Sequence, residues 1–156
     1  MDIILLDKNT LRIKGKNASF VVNPDSSIKT ETDAVVLLGF SDSVFPKITG
    51  SRITIKGPGE YEVNGIKISA SAVGKSLVAS TEIDGIKLLI GSGDSIGRRE
   101  DNIPECDIAI VSADSDFNQA ILTSLEPKVL LVYGENKEKV AKIDTYYGGL
   151  DWFDKE

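Results

Sequence analysis

Short runs of β-branched and other apolar residues, separated by tight turns, recur along this chain. The stretch Gly57-Pro58-Gly59-Glu60-Tyr61-Glu62-Val63-Asn64-Gly65-Ile66-Lys67-Ile68 carries the pattern in concentrated form. Gly57-Pro58-Gly59 is a turn signal, because proline fixes φ and the flanking glycines take dihedrals that other residues avoid. Residues 60–63 alternate polar with larger apolar groups, as a half-buried strand does. Asn64-Gly65 tolerates the positive φ of a type I′ hairpin turn, and Ile66 and Ile68 carry the return strand.

The same reading extends in both directions. Residues 3–6, 10–14 and 19–22 are predicted strands of a meander, joined by turn formers at 7–9 and 15–17. Residues 34–38 form a continuous apolar run, the mark of a strand covered on both faces. Residues 39–45 are expected to be a loop, with a strand beginning at 53–55. Strands are predicted at 69–73, 76–80 and 86–90, with Asp84-Gly85 a second hairpin signal. Residues 91–97 read as a small-residue loop, followed by a charged, solvated run at 98–101. Residues 107–112 and 129–133 are apolar strands. The best predicted helix spans 116–125, with Asp116 as N-cap and Pro127 as its stop; a short helix is predicted at 137–143. The aromatic tail, Tyr146-Tyr147-Gly148-Gly149-Leu150-Asp151-Trp152-Phe153, either caps the core or meets a partner; capping is favoured because aromatic area is usually buried. No repeat or linker interrupts the chain, so residues 1–156 are expected to be one domain.

Composition narrows the function classes. The chain has 156 residues with 18 basic and 24 acidic side chains, a net charge of −6. An acidic chain without a basic cluster repels phosphate backbones, which argues against a nucleic-acid partner. No apolar run approaches the roughly 18 residues of a membrane span. A single cysteine, Cys106, precludes an intramolecular disulfide and fits a reducing compartment. Residues 1–7 are too short and too acidic for a signal peptide, so a cytoplasmic location is expected, and the Asn17-Ala18-Ser19 sequon carries little meaning there. The most informative count is histidine: there is none.

The order of these elements resembles the metallo-β-lactamase fold, in particular its small hydrolase-like members of the L-ascorbate-6-phosphate lactonase type. The family hairpin G-P-G-E-Y-E-V-x-G-I is similar to residues 57–66 almost letter for letter. Its N-terminal meander and T-D-P strand end resemble residues 5–13 and Val22-Asn23-Pro24. Its D-A-V stretch looks like residues 32–38, its strand and G-D turn like residues 85–90 and Gly93-Asp94. Its D-I-x-x-V and E-P-K segments look like residues 107–111 and 126–129. The resemblance covers roughly residues 1–143. It implies an α/β fold, a compact metallo-β-lactamase-like αββα sandwich.

The metal chemistry of that family does not carry over. Its H-x-H-x-D-H loop would fall on Phe40-Ser41-Asp42-Ser43-Val44-Phe45, where Phe40, Val44 and Phe45 have no ligand atom and Asp42 replaces an imidazole. Lys8 holds the early histidine position, Asn23 lies in the strand end that carries the family's aspartate, and the late histidine falls near Tyr133 or Gly134. Only Asp94, the bridging carboxylate, is retained. Zinc needs about three or four N, S or O donors converging at about 2 Å, which one carboxylate cannot supply. These ancestral-site positions therefore imply a degenerate member with no metal and no cofactor, with Phe40 and Phe45 plugging the gap.

Other chemistries are weaker. Asp42, Asp94 and Glu60 offer oxygen to Mg²⁺ or Ca²⁺, but nothing in their spacing brings them together. Lys8 facing Ser41 or Ser43 would make a Ser–Lys pair. Cys106 beside Asp107 lacks a base to lower its pKa and reads as core. Gly74-Lys75-Ser76 lacks the earlier glycine of a phosphate loop, and residues 91–97 miss the dinucleotide spacing, so both read as turns. The expected function is non-catalytic, through protein contacts or self-association at the aromatic tail or an exposed sheet edge. The alternatives are a residual lactone or phosphoester hydrolase rebuilt around Asp42 and Asp94, or a small-ligand binder using the old cleft.

Overall fold

The structure is a computed structural model, and it describes residues 1–39, 43–99, 103–113 and 125–134. Two β-sheets dominate it. The first contains β1 (Asp2–Asp7), β2 (Thr10–Lys14), β3 (Ser19–Val22), β5 (Ala34–Val36) and β7 (Ile53–Ile55), in that order across the sheet. The second runs β13 (Val129–Tyr133), β12 (Ile108–Ser112), β11 (Ile86–Ser92), β10 (Ser76–Ile83), β9 (Ile66–Val73) and β8 (Gly59–Val63). A two-residue pair, β4 (Thr30–Glu31) with β6 (Ile48–Thr49), forms a small third sheet. Each large sheet begins as an antiparallel meander and ends in parallel strands, β3–β5–β7 in one and β11–β12–β13 in the other.

The period-two pattern explains how the large sheets meet. Leu11, Ile13, Phe20, Val22, Ala34, Val36 and Ile55 from the first share one buried cluster with Ile68, Leu77, Ile83, Leu88, Ile90 and Ile110 from the second. Alternate residues of the second sheet, Val78, Leu89, Ala109, Val111 and Leu130, turn to its other face, where Ile96 packs on them. Ile96 belongs to α1 (Gly93–Arg98). That helix can lie close because Gly91 has no side chain: a Cβ there would stand 3.1 Å from Ile96 and 3.2 Å from Val78.

The expected α/β architecture, the αββα sandwich, is overturned. The described residues are mostly β, and α1, only six residues long, is the one helix among them. The apolar strands bury much of their surface sheet against sheet. The helix expected at 116–125 lies, apart from Leu125, outside the described residues, as do the one at 137–143 and the aromatic tail. Helix α1 itself falls where a loop was expected: Ser92 caps it, accepting from Ser95 N at 3.1 Å. Among the described residues no helix is long and apolar enough to cross a membrane.

Local turn chemistry follows the sequence closely. Asn64 and Gly65 have φ of 47° and 82°, and Asp84 and Gly85 have 52° and 79°, the positive pairs a type I′ turn requires. Gly74-Lys75 is the two-residue connection between β9 and β10, whose flanking residues Val73 and Ser76 pair.

At the entry to β12, Asp107 fastens three strands. Its carboxylate accepts from Lys87 N at 2.9 Å and from Lys128 Nζ at 2.8 Å, while its own carbonyl accepts from Val129 N at 3.0 Å. The Lys128 hydrogen bond, then that from Lys87 N, holds the carboxyl below its usual range. A depressed folded-state pKa gives stability that is present above the unfolded value and lost as pH falls through the folded one. Asp107→Asn is therefore expected to lower stability at neutral pH. The gap to the parent protein should close as the pH drops below about 4, the ordinary aspartate value. Denaturant titrations of both proteins from pH 7 to pH 2 check this; a gap independent of pH would remove the charge from the account.

Candidate functional site

A cleft lies where the two sheets present strand ends to one another. Its cavity, of about 330 Å³, is lined by Asn23 and Pro24 after β3, Leu37, Leu38 and Gly39 after β5, Ser76 opening β10, Ser92 ending β11 and Ser112 ending β12. Ser43 and Phe45 complete the lining. Carboxyl ends of parallel strands are where open sheets gather ligand-binding groups, because the connections there are free to vary.

Asn23 builds the cleft more than it decorates it. It sits in the left-handed region at φ 49°, a conformation asparagine tolerates better than most residues. Its side-chain oxygen accepts from Leu38 N at 2.8 Å, its N–H donates to Val36 O at 2.9 Å, and its carbonyl accepts from Thr10 Oγ1 at 2.9 Å. One residue thus ties the ends of β2, β3 and β5. The sheets are then bridged directly: Leu77 N donates to Leu38 O at 2.7 Å, and Gly39 pairs with Ser76.

The remaining sequence candidates do not converge. Lys8 is exposed in the β1–β2 turn, where its N–H donates to Asp7 Oδ1 at 2.6 Å, and it lines no part of the cavity. Asp94 lies in the first turn of α1, its carboxylate 3.1 Å from Arg98 Nε, and is also absent from the cavity wall. Glu60 is exposed on β8 and accepts from Ser69 Oγ at 2.6 Å. Val44 is exposed, and Phe45 lines the cleft. Tyr133 is buried at the end of β13, paired in register with Ser112. Phe40, Ser41 and Asp42 lie outside the described residues.

Cys106 is buried, and desolvation, followed by the charges of Asp107 and Glu105, pushes its thiol up. A raised pKa suppresses the thiolate and with it nucleophilicity.

Among the described residues the donor set of the cleft does not fit zinc. Its polar side chains are neutral hydroxyls and one amide whose oxygen is already bonded, and no charged side chain lines it among the described residues. No three His, Cys, Asp or Glu side chains gather anywhere among the described residues. What the sequence missed is the set Ser76, Ser92 and Ser112. The strand-end positions of Ser76 and Ser112 were visible, whereas Ser92 read as loop, and only sheet pairing brings the three to one cavity.

No protein-family model matches the sequence, and no curated protein matches it. Solved structures do match in fold. A proposed zinc-dependent hydrolase of the metallo-β-lactamase superfamily from Thermotoga maritima superposes with a TM-score of 0.69 at 21% identity, covering 84% of this chain and 74% of that one. A proposed metal-dependent hydrolase from Parabacteroides distasonis gives 0.62 at 15% identity, covering 95% and 89%. The metallo-β-lactamase fold protein YhfI from Bacillus subtilis gives 0.57 at 12%, covering 90% and 86%. These likenesses give this chain the metallo-β-lactamase fold.

Proposed function

We propose that this protein is a metal-free, non-catalytic form of the metallo-β-lactamase fold that acts through protein contacts or self-association. One observation carries the reading: among the described residues, the cleft that would house a metal is walled by serine hydroxyls, an engaged asparagine and apolar side chains. Asp94, the one retained ligand of the family pattern, is turned to Arg98 instead.

Elemental analysis of purified protein, with thermal shifts in Zn²⁺, Mn²⁺ and Mg²⁺, tests the reading. The expected result is substoichiometric metal, no shift, and no turnover of lactone or phosphoester substrates. A ligand that binds only the folded state raises its apparent stability. Stoichiometric metal, or a shift abolished by Asp94→Ala, would overturn the proposal.

A second reading, a small-ligand binder, rests on Ser112. That residue is only 3% exposed yet reaches the cavity wall. A cavity of this size, part apolar and part hydroxyl-lined, suits a small neutral polar molecule.

A further inference from the structure

The only Asn-Gly dipeptide of the chain is Asn64-Gly65, the turn between β8 and β9. The pair sets an amide carbon, an electrophile, beside a backbone nitrogen that no side chain shields, since Gly65 has none. Space around Gly65 is open: a Cβ built there would meet nothing within 4 Å. Asn64 itself is exposed.

The asparagine amide also has a structural task. Its Nδ2 donates to Asp33 Oδ1 at 3.1 Å, and its Oδ1 accepts from Arg52 Nη1 at 3.3 Å. Asp33 directly precedes β5 and Arg52 directly precedes β7, so one side chain of the second sheet is tied to two parallel strands of the first. The receiving end is itself fixed. Asp33 Oδ2 accepts from Ser19 N at 2.8 Å, and the Asp33 carbonyl accepts from Arg52 N at 2.9 Å.

The turn geometry decides when that amide can react. Closing a five-membered imide ring needs Gly65 N and Asn64 Cβ nearly eclipsed about the Cα–C bond, so that the nitrogen reaches Cγ. With φ of 47° and 82° the pair forms a type I′ turn, whose first central residue has ψ of about +30°. That ψ places Gly65 N almost opposite Cβ, out of reach of Cγ. The hydrogen bonds to Asp33 and Arg52 hold the amide in place there. The folded turn thus blocks a reaction that its own sequence invites, and opening of the hairpin releases it.

We propose that Asn64 is a site of spontaneous deamidation, gated by opening of the β8–β9 turn, and that its conversion cuts this tie between the sheets. In the opened turn the Gly65 nitrogen attacks Asn64 Cγ and gives up its proton to solvent. The new C–N bond forms as the Cγ–Nδ2 bond breaks, and ammonia leaves with a proton taken from water. Water then adds to one of the two carbonyls of the cyclic imide and breaks its bond to nitrogen, giving aspartate or isoaspartate. Neither product has an N–H to offer Asp33. Each sets a second carboxylate against the first, and like charges repel. Isoaspartate also lengthens the backbone of a two-residue turn whose length fixes the register of β8 on β9.

Peptide mapping by mass spectrometry tests this on the full chain incubated at mildly alkaline pH, read at the tryptic peptide 57–67. In guanidinium, the unfolded chain is expected to convert at Asn64 faster than at any other asparagine. The folded chain is expected to convert there about tenfold more slowly or less, because reaction waits on a local opening. Arg52→Ala, at an exposed position, removes one partner of the amide. It should speed conversion in the folded chain and leave the unfolded rate unchanged, with circular dichroism verifying the fold. Asn64→Asp reproduces one product directly and should unfold at lower denaturant concentration than the parent. Equal rates in folded and unfolded chains, or a folded rate that Arg52→Ala leaves unmoved or lowers, would overturn the gating. An Asn64→Asp variant as stable as the parent would overturn the tie, and an unfolded chain that spares Asn64 would overturn the site.

Discussion

Ile110→Ala is expected to lower the unfolding free energy by about 2–5 kcal/mol, the range for emptying a large buried aliphatic position. Ile110 is fully buried in β12, the strand between β11 and β13, and its side chain enters the core shared by the two large sheets. Its register partners are Ile90 and Leu131, which belong to the same cluster. Both flanking strands are held to β12 by parallel ladders, so neither can slide inward to fill the void. A domain of this kind has roughly 5–15 kcal/mol in total, so the variant should lose a large part of its margin. Urea unfolding followed by circular dichroism measures the loss at unchanged m. A cost under about 1 kcal/mol would mean that the sheets close over the void, and that the shared core is less tightly packed than typical protein interiors.

Gly15→Ala is expected to cost about 1–3 kcal/mol, through overpacking rather than through a cavity. A Cβ at position 15 would stand 2.5 Å from Ile83 Cγ2, well inside contact distance. Neither side can yield easily. Ile83 is 1% exposed at the end of β10, and the turn is held by Gly15 N donating to Ala18 O at 2.9 Å and Lys16 N to Asp84 Oδ1 at 3.3 Å. The specific check is non-additivity. Ile83→Leu moves a methyl off Cβ, so it should recover part of the Gly15→Ala loss when the two are combined, as contacting positions do. Strict additivity would place the cost elsewhere than at this contact.

The sequence was most informative where a local rule decides the backbone. Asn64-Gly65 and Asp84-Gly85 form the hairpin turns that their dihedral tolerance requires, and the apolar runs at 34–38 and 129–133 hold buried strands. It was least informative where distant residues decide. Gly91-Ser92-Gly93 reads as a loop until Ile96 finds the outer face of the second sheet, after which Ser92 becomes a helix cap. Residues 66–73 form one strand rather than a turn's return arm followed by a second strand, because β10 pairs along most of it. The layered α/β expectation came from the family resemblance, not from these runs. Continuous apolar strands show that both faces are covered, but not whether sheet or helix covers them.

The site was half legible. The absence of any imidazole ligand needs only a count of histidines. The role of Asn23 as a tie between strands, and the convergence of Ser76, Ser92 and Ser112, depend on which strand ends the sheets bring together.

The core lies between the sheets, and most of the cleft wall is drawn from residues at strand ends and in connections. The groups that hold this fold and the groups that would give it chemistry are therefore largely different sets. Selection can rewrite the second while the first keeps the chain above its stability threshold. A lineage can then pass from catalysis to contact, or back, without ever losing its fold.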